Sequence, residues 1–181
     1  MTVISKLDAA RQNLRAAIRV FFERGNPVAI HTLAAAAQSV IRDIARARGL
    51  ERTSILHDHP EIPSHLRRQW INKLNAPRNF FKHADDDPDG TLDFDEGDNA
   101  LVLLDAVLIL SELSEKPLAE ANVFVGWFTT ENPELRPAMS NNVIGDYCVR
   151  NRIPASDFDR FRELCDEKIL FEPISTPSKV K

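Results

Sequence analysis

The segment from Asp98 to Ser114 constrains the fold more than any other part of the sequence. Drawn as a helix, it carries aliphatic side chains on nearly every side, at Leu101, Val102, Leu104, Val107, Leu108 and Leu110. A helix that is apolar all round must be covered by other elements, so we expect it at the centre of a helical bundle. Its most apolar stretch, Ala100 to Leu110, is too short to span a bilayer and contains Asp105.

Two amphipathic segments near the N-terminus are predicted to supply part of this cover. Apolar residues recur every three or four positions over residues 5–24 and again over 27–48, which is typical of helices with one buried stripe. Gly25 and Gly49 follow these segments and are favourable helix ends. The chain has only 6 glycines in 181 residues and is rich in alanine, leucine and arginine, so its composition also favours helices over strands.

A third segment is predicted over residues 64–84, with Ser64 as its cap. Pro77 lies inside it and is expected to break or kink the helix and to start a new short helix just before Arg78. Together with residues 98–114, these segments predict an all-α fold built on an antiparallel helical bundle.

The bundle is assigned to residues 1–115, and residues 116–181 are expected to form a helical extension packed on it. The extension is predicted to contain a helix ending at Phe128, a loop at 131–137, helices at 142–150 and 156–170, and a frayed tail from residue 172.

Composition and charge narrow the function classes. The N-terminal residues lack the apolar core of a signal peptide, and Cys148 and Cys165 lack metal or redox spacing, so we expect a cytoplasmic protein that does not act at a membrane. No glycine-rich phosphate loop or serine nucleophile elbow occurs in the sequence. Residues 1–83 hold 14 Lys/Arg and 6 Asp/Glu, whereas residues 84–181 hold 9 and 21. This asymmetry fits either a face that meets a polyanion or two halves that pack together in a dimer.

The stretch Arg78-Asn79-Phe80-Phe81-Lys82-His83 carries the main candidate chemistry. An arginine and a histidine five positions apart can share one side of a short helix. A guanidinium holds phosphate oxygens and an imidazole moves a proton near neutral pH, which are the two needs of phosphodiester cleavage. The alternative is an arginine that pairs locally and a histidine that is merely on the surface.

The other histidines are weaker candidates. His31, near the start of the second helix, is expected to be partly buried and hydrogen-bonded. His57 and His59 lie close together, but no further ligands stand at the spacing of a metal site.

The RN-x-x-x-H pattern of residues 78–83 resembles the Arg-x₄₋₆-His motif of HEPN domains, all-α bundles found in bacterial defence and toxin–antitoxin systems. Many HEPN domains are metal-independent endoribonucleases that act as homodimers. The resemblance implies catalytic roles for Arg78, Asn79 and His83, and an RNA or an antitoxin protein as partner. On this interpretation His83 transfers the proton, Arg78 stabilises the phosphate charge and Asn79 orients an oxygen.

Further arginines are predicted to contact the RNA backbone, at Arg11, Arg15, Arg19, Arg42 and Arg46. The aspartates that follow His83 weigh against catalysis, because a dense negative charge beside a phosphate site repels substrate. The competing hypothesis is therefore a dimeric, non-catalytic binding module.

The acidic turn after the motif also satisfies the pattern of an EF-hand calcium loop, with candidate ligands Asp85, Asp87, Asp89, Asp93 and Glu96 and with Gly90 at the sixth position. There is no second loop for it to pair with, and Pro88 stiffens the turn. An acidic helix–helix turn is the alternative; calcium is the only cofactor that the sequence brings into question.

Overall fold

A computed structural model describes residues 1–50, 54–85, 87–113, 118–139 and 142–167. Its elements are α1 (Lys6–Phe22), α2 (Pro27–Ala47), α3 (Arg67–Phe80), α4 (Asp98–Leu113), α5 (Ala119–Glu131), a 3₁₀ helix (Pro133–Met139), α6 (Val143–Arg150) and α7 (Phe158–Leu164). The described residues contain no strand, so the all-α prediction is confirmed. No helix in this part of the chain is long and apolar enough to cross a membrane.

Helix α4 is the centre of the core, as its composition predicts. Ten of its 16 residues are buried, and α1, α2 and α5 all pack against it. The buried set includes one carboxylate, Asp105, among the aliphatic side chains. Burial of this much apolar surface makes α4 the main source of hydrophobic stabilisation.

Helices α1 and α2 form a hairpin that covers one side of α4. The Ser5 hydroxyl accepts a hydrogen bond from the Asp8 amide, and the Asn26 carboxamide accepts one from the Ala29 amide. These N-caps fix where each helix begins. Small buried residues let the two helices approach closely, including Ala10 and Ala17 on α1 and Ala34, Ala37 and Ala45 on α2.

Helices α5 and α7 pack on α1 through an aromatic cluster. Its members are Phe21, Phe22, Phe124, Trp127, Phe128, Phe158 and Phe161. Most of these pairs are edge-to-face or tilted, an arrangement that aromatic rings prefer. The predicted loop at 131–137 is largely the 3₁₀ helix, and α7 is shorter than predicted. Residues 168–181 and the predicted boundary at 115–116 lie outside the described residues.

Helix α3 departs most from the sequence prediction. It begins at Arg67 without a side-chain cap, so the prediction that Ser64 caps it is wrong. It also continues through Pro77 to Phe80, so the predicted restart before Arg78 is wrong. Proline in a helix interior removes the hydrogen bond to the carbonyl four residues earlier, here that of Lys73. Lys73 is exposed and no residue of α3 is buried, so the proline falls in a helix that lies at the surface.

Candidate functional site

Arg78 faces the body of the protein. It lies in the last turn of α3, and its Nη1 donates a hydrogen bond to the Ser39 hydroxyl in the middle of α2. The side chain is half-buried between the two helices. The guanidinium therefore fastens the end of α3 to α2.

The other motif residues face solvent. Asn79 is exposed, and His83 follows the end of α3 with 68% of its side chain accessible. The imidazole Nδ1 of His83 stands 4.0 Å from an Asp85 carboxylate oxygen. Among the described residues no hydrogen bond or ion pair joins Arg78 to His83. The structure thus orients the motif arginine inward and the motif histidine outward.

The phenylalanine next to Lys82 anchors the motif to the bundle. Phe81 meets the His31 ring edge to face at 5.7 Å, and Phe94 meets the same ring at 5.3 Å. His31 itself is buried on α2 and its Nδ1 lies 3.0 Å from the Asn99 carboxamide oxygen. His31 is thus hydrogen-bonded as predicted, and more deeply buried than expected.

The bonding around His31 fixes its tautomer. The Asn99 amide group donates to the Pro27 carbonyl at 3.0 Å, so its oxygen faces His31 and accepts from Nδ1–H. The Nε2 atom then carries a lone pair and has no partner in the described part of the chain. Burial lowers the pKa of His31, which keeps the ring neutral near pH 7.

A buried polar cluster, which the sequence analysis did not identify, lies between α2, the 54–57 turn and α4. The Asp105 carboxylate accepts hydrogen bonds from the Gln38 amide at 2.7 Å, the Ser54 hydroxyl at 3.0 Å and the Leu56 backbone N–H at 3.3 Å. The His57 Nδ1 is 3.2 Å from the same Ser54 hydroxyl. Asp105 is the one carboxylate within the apolar stretch Ala100 to Leu110, and it was the available signal, since a buried charge needs hydrogen-bond donors.

This cluster does not have the arrangement of a serine nucleophile site. The serine sits between the histidine and the aspartate, whereas in a catalytic triad the histidine is the middle member. Ser54, His57 and Asp105 are all buried, so no substrate reaches the hydroxyl. Burial and the nearby Arg42 charge lower the pKa of His57. The cluster is best explained as a structural network.

The arginines predicted to contact RNA lie on two helices, α1 and α2. Arg15 and Arg19 both pair with the buried Glu120 carboxylate on α5, at 3.3 and 2.8 Å, and Arg19 also pairs with Asp166. The bonds to Glu120 and Asp166 raise the pKa of Arg19. Arg11 is half-buried on the same helix. These contacts tie α1 to the C-terminal elements.

The α2 arginines have a different setting. Arg42 is half-buried near Asp105, and burial lowers its pKa, whereas Arg46, one turn further on, is exposed. The five arginines are therefore divided between two different environments.

The described side chains of the acidic loop point to solvent and do not converge on one position. The candidate calcium ligands Asp85, Asp87, Asp89, Asp93 and Glu96 are all exposed, and the described residues contain no group of three or more acidic, histidine or cysteine side chains placed to hold a metal. Asp95 instead accepts a hydrogen bond from the Gly97 amide at 2.9 Å. A calcium ion needs about six to eight converging oxygens. The acidic helix–helix turn fits these observations better than a formed calcium loop.

The cysteines offer no reactive group. Both are free thiols and buried, and burial raises the pKa of Cys165 to about 12 and also raises that of Cys148. A buried thiol with a raised pKa is a poor nucleophile.

The solvent side of α3 forms a distinct surface, which we name the α3 face. Its residues are exposed and polar: Arg68, Gln69, Asn72, Lys73 and Asn79 on the helix, and Lys82 in the turn directly after it. It has cations and amides but no carboxylate, and α3 has no aspartate or glutamate at all. No residue of α3 is buried, so the helix presents chemistry to solvent more than it fills the core.

No family model, curated protein or solved structure matches the chain. The resemblance to HEPN domains therefore stays a prediction that rests on the motif and on the order of the helices.

Proposed function

We propose that this chain is a HEPN-like helical module that binds single-stranded RNA along the α3 face without cleaving it. The observation that carries the proposal is the make-up of that face, which combines cationic and amide side chains with no carboxylate. Arg78 serves the structure in this account, because its guanidinium holds α3 against α2.

The charges of the α3 face suit a phosphate backbone. Arg68, Lys73 and Lys82 are exposed, and none of them has an ion-pair partner among the described residues. Free cations neutralise phosphates and release counterions, which supplies sequence-independent affinity. The amides of Gln69 and Asn72 lie between them and can donate hydrogen bonds to phosphate or base edges.

An aromatic ring beside the face adds a stacking surface. Trp70 is 37% exposed, and its indole N–H donates to the Leu56 carbonyl at 2.6 Å, which fixes the orientation of the ring. Bases stack on such rings regardless of sequence, and this favours single strands over paired ones.

The motif geometry argues against catalysis. Cleavage through this motif needs a guanidinium and an imidazole on one phosphate, but Arg78 bonds to Ser39 while His83 projects into solvent beside Asp85. The negative charge at Asp85 also disfavours a phosphate there.

Fluorescence anisotropy with a labelled single-stranded RNA in EDTA tests the proposal. The double variant Arg68→Glu/Lys73→Glu should bind at least about tenfold more weakly, because two attractive phosphate contacts become repulsive. The matched control is Lys6→Glu/Arg150→Glu, which changes the net charge equally at exposed positions on α1 and α6. Equal losses in both variants, or no binding by the wild type, would rule out the α3 face.

A metal-independent ribonuclease is the second candidate, and the exposure of His83 favours it because a substrate can reach the imidazole. Incubation with RNA in EDTA would then yield 2′,3′-cyclic phosphate ends, and His83→Ala and Arg78→Ala would each slow cleavage about 100-fold or more. The resemblance places two motifs at a dimer interface, so this candidate also requires a homodimer by light scattering. Intact RNA under these conditions supports the binding module instead.

A further inference from the structure

A cleft beside α1 and α5 is separate from both the motif and the α3 face. It is an open cleft of about 570 Å³ between the C-terminal ends of α1 and α5, the N-terminal ends of α2 and α4, and residues 155–158. This volume lies within the range of small-molecule sites in proteins, about 300–1,000 Å³. None of its lining residues belongs to the α3 face.

Three aromatic rings form the wall of the cleft. Phe21 contacts Trp127 edge to face with ring centres 4.8 Å apart, and it contacts Phe158 at 5.5 Å. The indole N–H of Trp127 donates to the Ala155 carbonyl at 3.0 Å, so the ring is held in place. Fixed rings offer a ready apolar surface, because little side-chain entropy remains to be lost on binding.

The rim of the cleft carries an excess of negative charge. The Glu96 and Glu131 carboxylates both line it and are exposed, and neither has a hydrogen-bond or ion-pair partner among the described residues. Arg24 is the cation of the lining, and it donates to the Ser156 carbonyl at 3.0 Å. Its guanidinium also stands over the Phe158 ring at 4.8 Å. The wall thus already receives a positive charge on an aromatic face.

We propose that this cleft binds a small organic cation, an ammonium group attached to an apolar body. The apolar body packs against the half-buried Phe21 and the small exposed part of Trp127, and the ammonium group faces the Glu96 and Glu131 carboxylates. Aromatic faces attract cations through their ring electrons, and the two rim carboxylates outnumber Arg24, so the net charge of the lining favours a cation. A neutral ligand loses the charge contacts, and an anionic ligand is repelled by the rim.

Three probes of similar shape and different charge test this proposal: benzylamine, benzyl alcohol and benzoate. Binding is followed by the fluorescence of Trp127 in a Trp70→Phe background, in which Trp127 is the remaining tryptophan. The melting temperature of the wild-type chain gives a second readout, since a ligand that binds the folded state raises it. Benzylamine should bind most tightly, benzyl alcohol more weakly and benzoate most weakly.

The double variant Glu96→Gln/Glu131→Gln removes both rim charges while keeping the side-chain shapes. It should weaken benzylamine binding roughly fivefold, the scale of exposed charge contacts, and leave benzyl alcohol unchanged. The matched control is Glu134→Gln, an exposed glutamate of the 3₁₀ helix that does not line the cleft.

Two results would overturn the proposal. One is the absence of any saturable response to benzylamine at millimolar concentration by either readout. The other is a preference for benzylamine that the double variant and the control retain equally. Both are independent of RNA binding, which is measured at a different surface.

Discussion

Helices α3 and α4 lie on either side of the same acidic loop and differ most in how many of their residues are buried. Helix α4 buries ten of its 16 residues at the centre of the bundle, whereas α3 buries none of its 14 and contacts α2 through its last turns. The difference teaches that α4 contributes mainly to the stability of the core, whereas α3 contributes mainly polar side chains to the surface. The RN-x-x-x-H motif lies at the end of the exposed helix, where side chains can change with little cost to the core.

The largest expected effect comes from removing a leucine side chain at each of the two helices and comparing the loss in the free energy of unfolding. Leu103→Ala, in the fully buried part of α4, should lower the free energy of unfolding by about 2–5 kcal/mol, because it leaves a cavity. Leu66→Ala, at the start of α3 and 44% exposed, should cost about 0.5 kcal/mol or less. Urea denaturation of both variants measures the difference. Similar losses would show that α3 is as integral to the core as α4.

Helix α4 also contributes to stability through the buried polar cluster, because its Asp105 carboxylate accepts hydrogen bonds from buried donors. Asp105→Ala removes the acceptor shared by Gln38 and Ser54 and leaves buried donors unpaired. Each unpaired donor costs about 1–3 kcal/mol, so a total of about 3 kcal/mol is expected. Asp43→Ala on the exposed side of α2 is the matched control. An Asp105 variant as stable as the control would mean that the network contributes nothing.

The two buried histidines give the folded state a pH dependence. Burial lowers the pKa of His31 and of His57 in the folded chain, so the unfolded chain takes up protons first as the pH falls. The free energy of unfolding therefore decreases as the pH drops through the unfolded value of about 6.5, and it continues to decrease until the lower folded values are reached.

Urea denaturation at a series of pH values between neutral and mildly acidic measures this loss. His57→Gln should reduce the steepness of the decline, and His59→Gln, at an exposed position, is the matched control. A wild-type stability that rises on acidification would contradict the burial-induced shifts.

The smallest expected changes in stability are those of the two motif residues, Arg78 and His83, and they should differ from each other. Arg78→Ala should lower stability by about 1 kcal/mol because the hydrogen bond to Ser39 is lost. That change corresponds to roughly 2–4 °C in melting temperature for a chain of this size. His83→Ala should shift the free energy of unfolding by about 0.5 kcal/mol or less, since the imidazole is exposed. Differential scanning calorimetry distinguishes the variants, and equal shifts would remove the structural role of Arg78.

Local patterns in the sequence predicted most of the bundle. The apolar surface of α4 and the buried stripes of α1 and α2 depend on the spacing of nearby residues, and those features appear as expected. The continuity of α3 through Pro77 was not predictable, because local sequence shows neither the surface position of the helix nor the contact of Arg78 with Ser39 on α2.

The contacts at the site depend on distant partners. Ser54 meets Asp105 across 51 positions of sequence, and Arg19 meets Glu120 across 101. No local spacing encodes such pairs, so the arginines of α1 were predicted as an RNA-contacting ridge when in the structure two of them pair with a buried glutamate.

The salt dependence of RNA binding tests the central claim most directly. If the α3 face carries the phosphate contacts, the logarithm of the association constant should fall linearly with the logarithm of salt concentration. Each phosphate contact on a single strand contributes about 0.7 to the slope of that line. Replacing Arg68, Lys73 and Lys82 by glutamine should therefore reduce the slope by about 2. The exposed cations Lys6, Arg150 and Arg152, replaced in the same way, should leave the slope unchanged. A slope that is the same in both triple variants would contradict the assignment of RNA binding to α3.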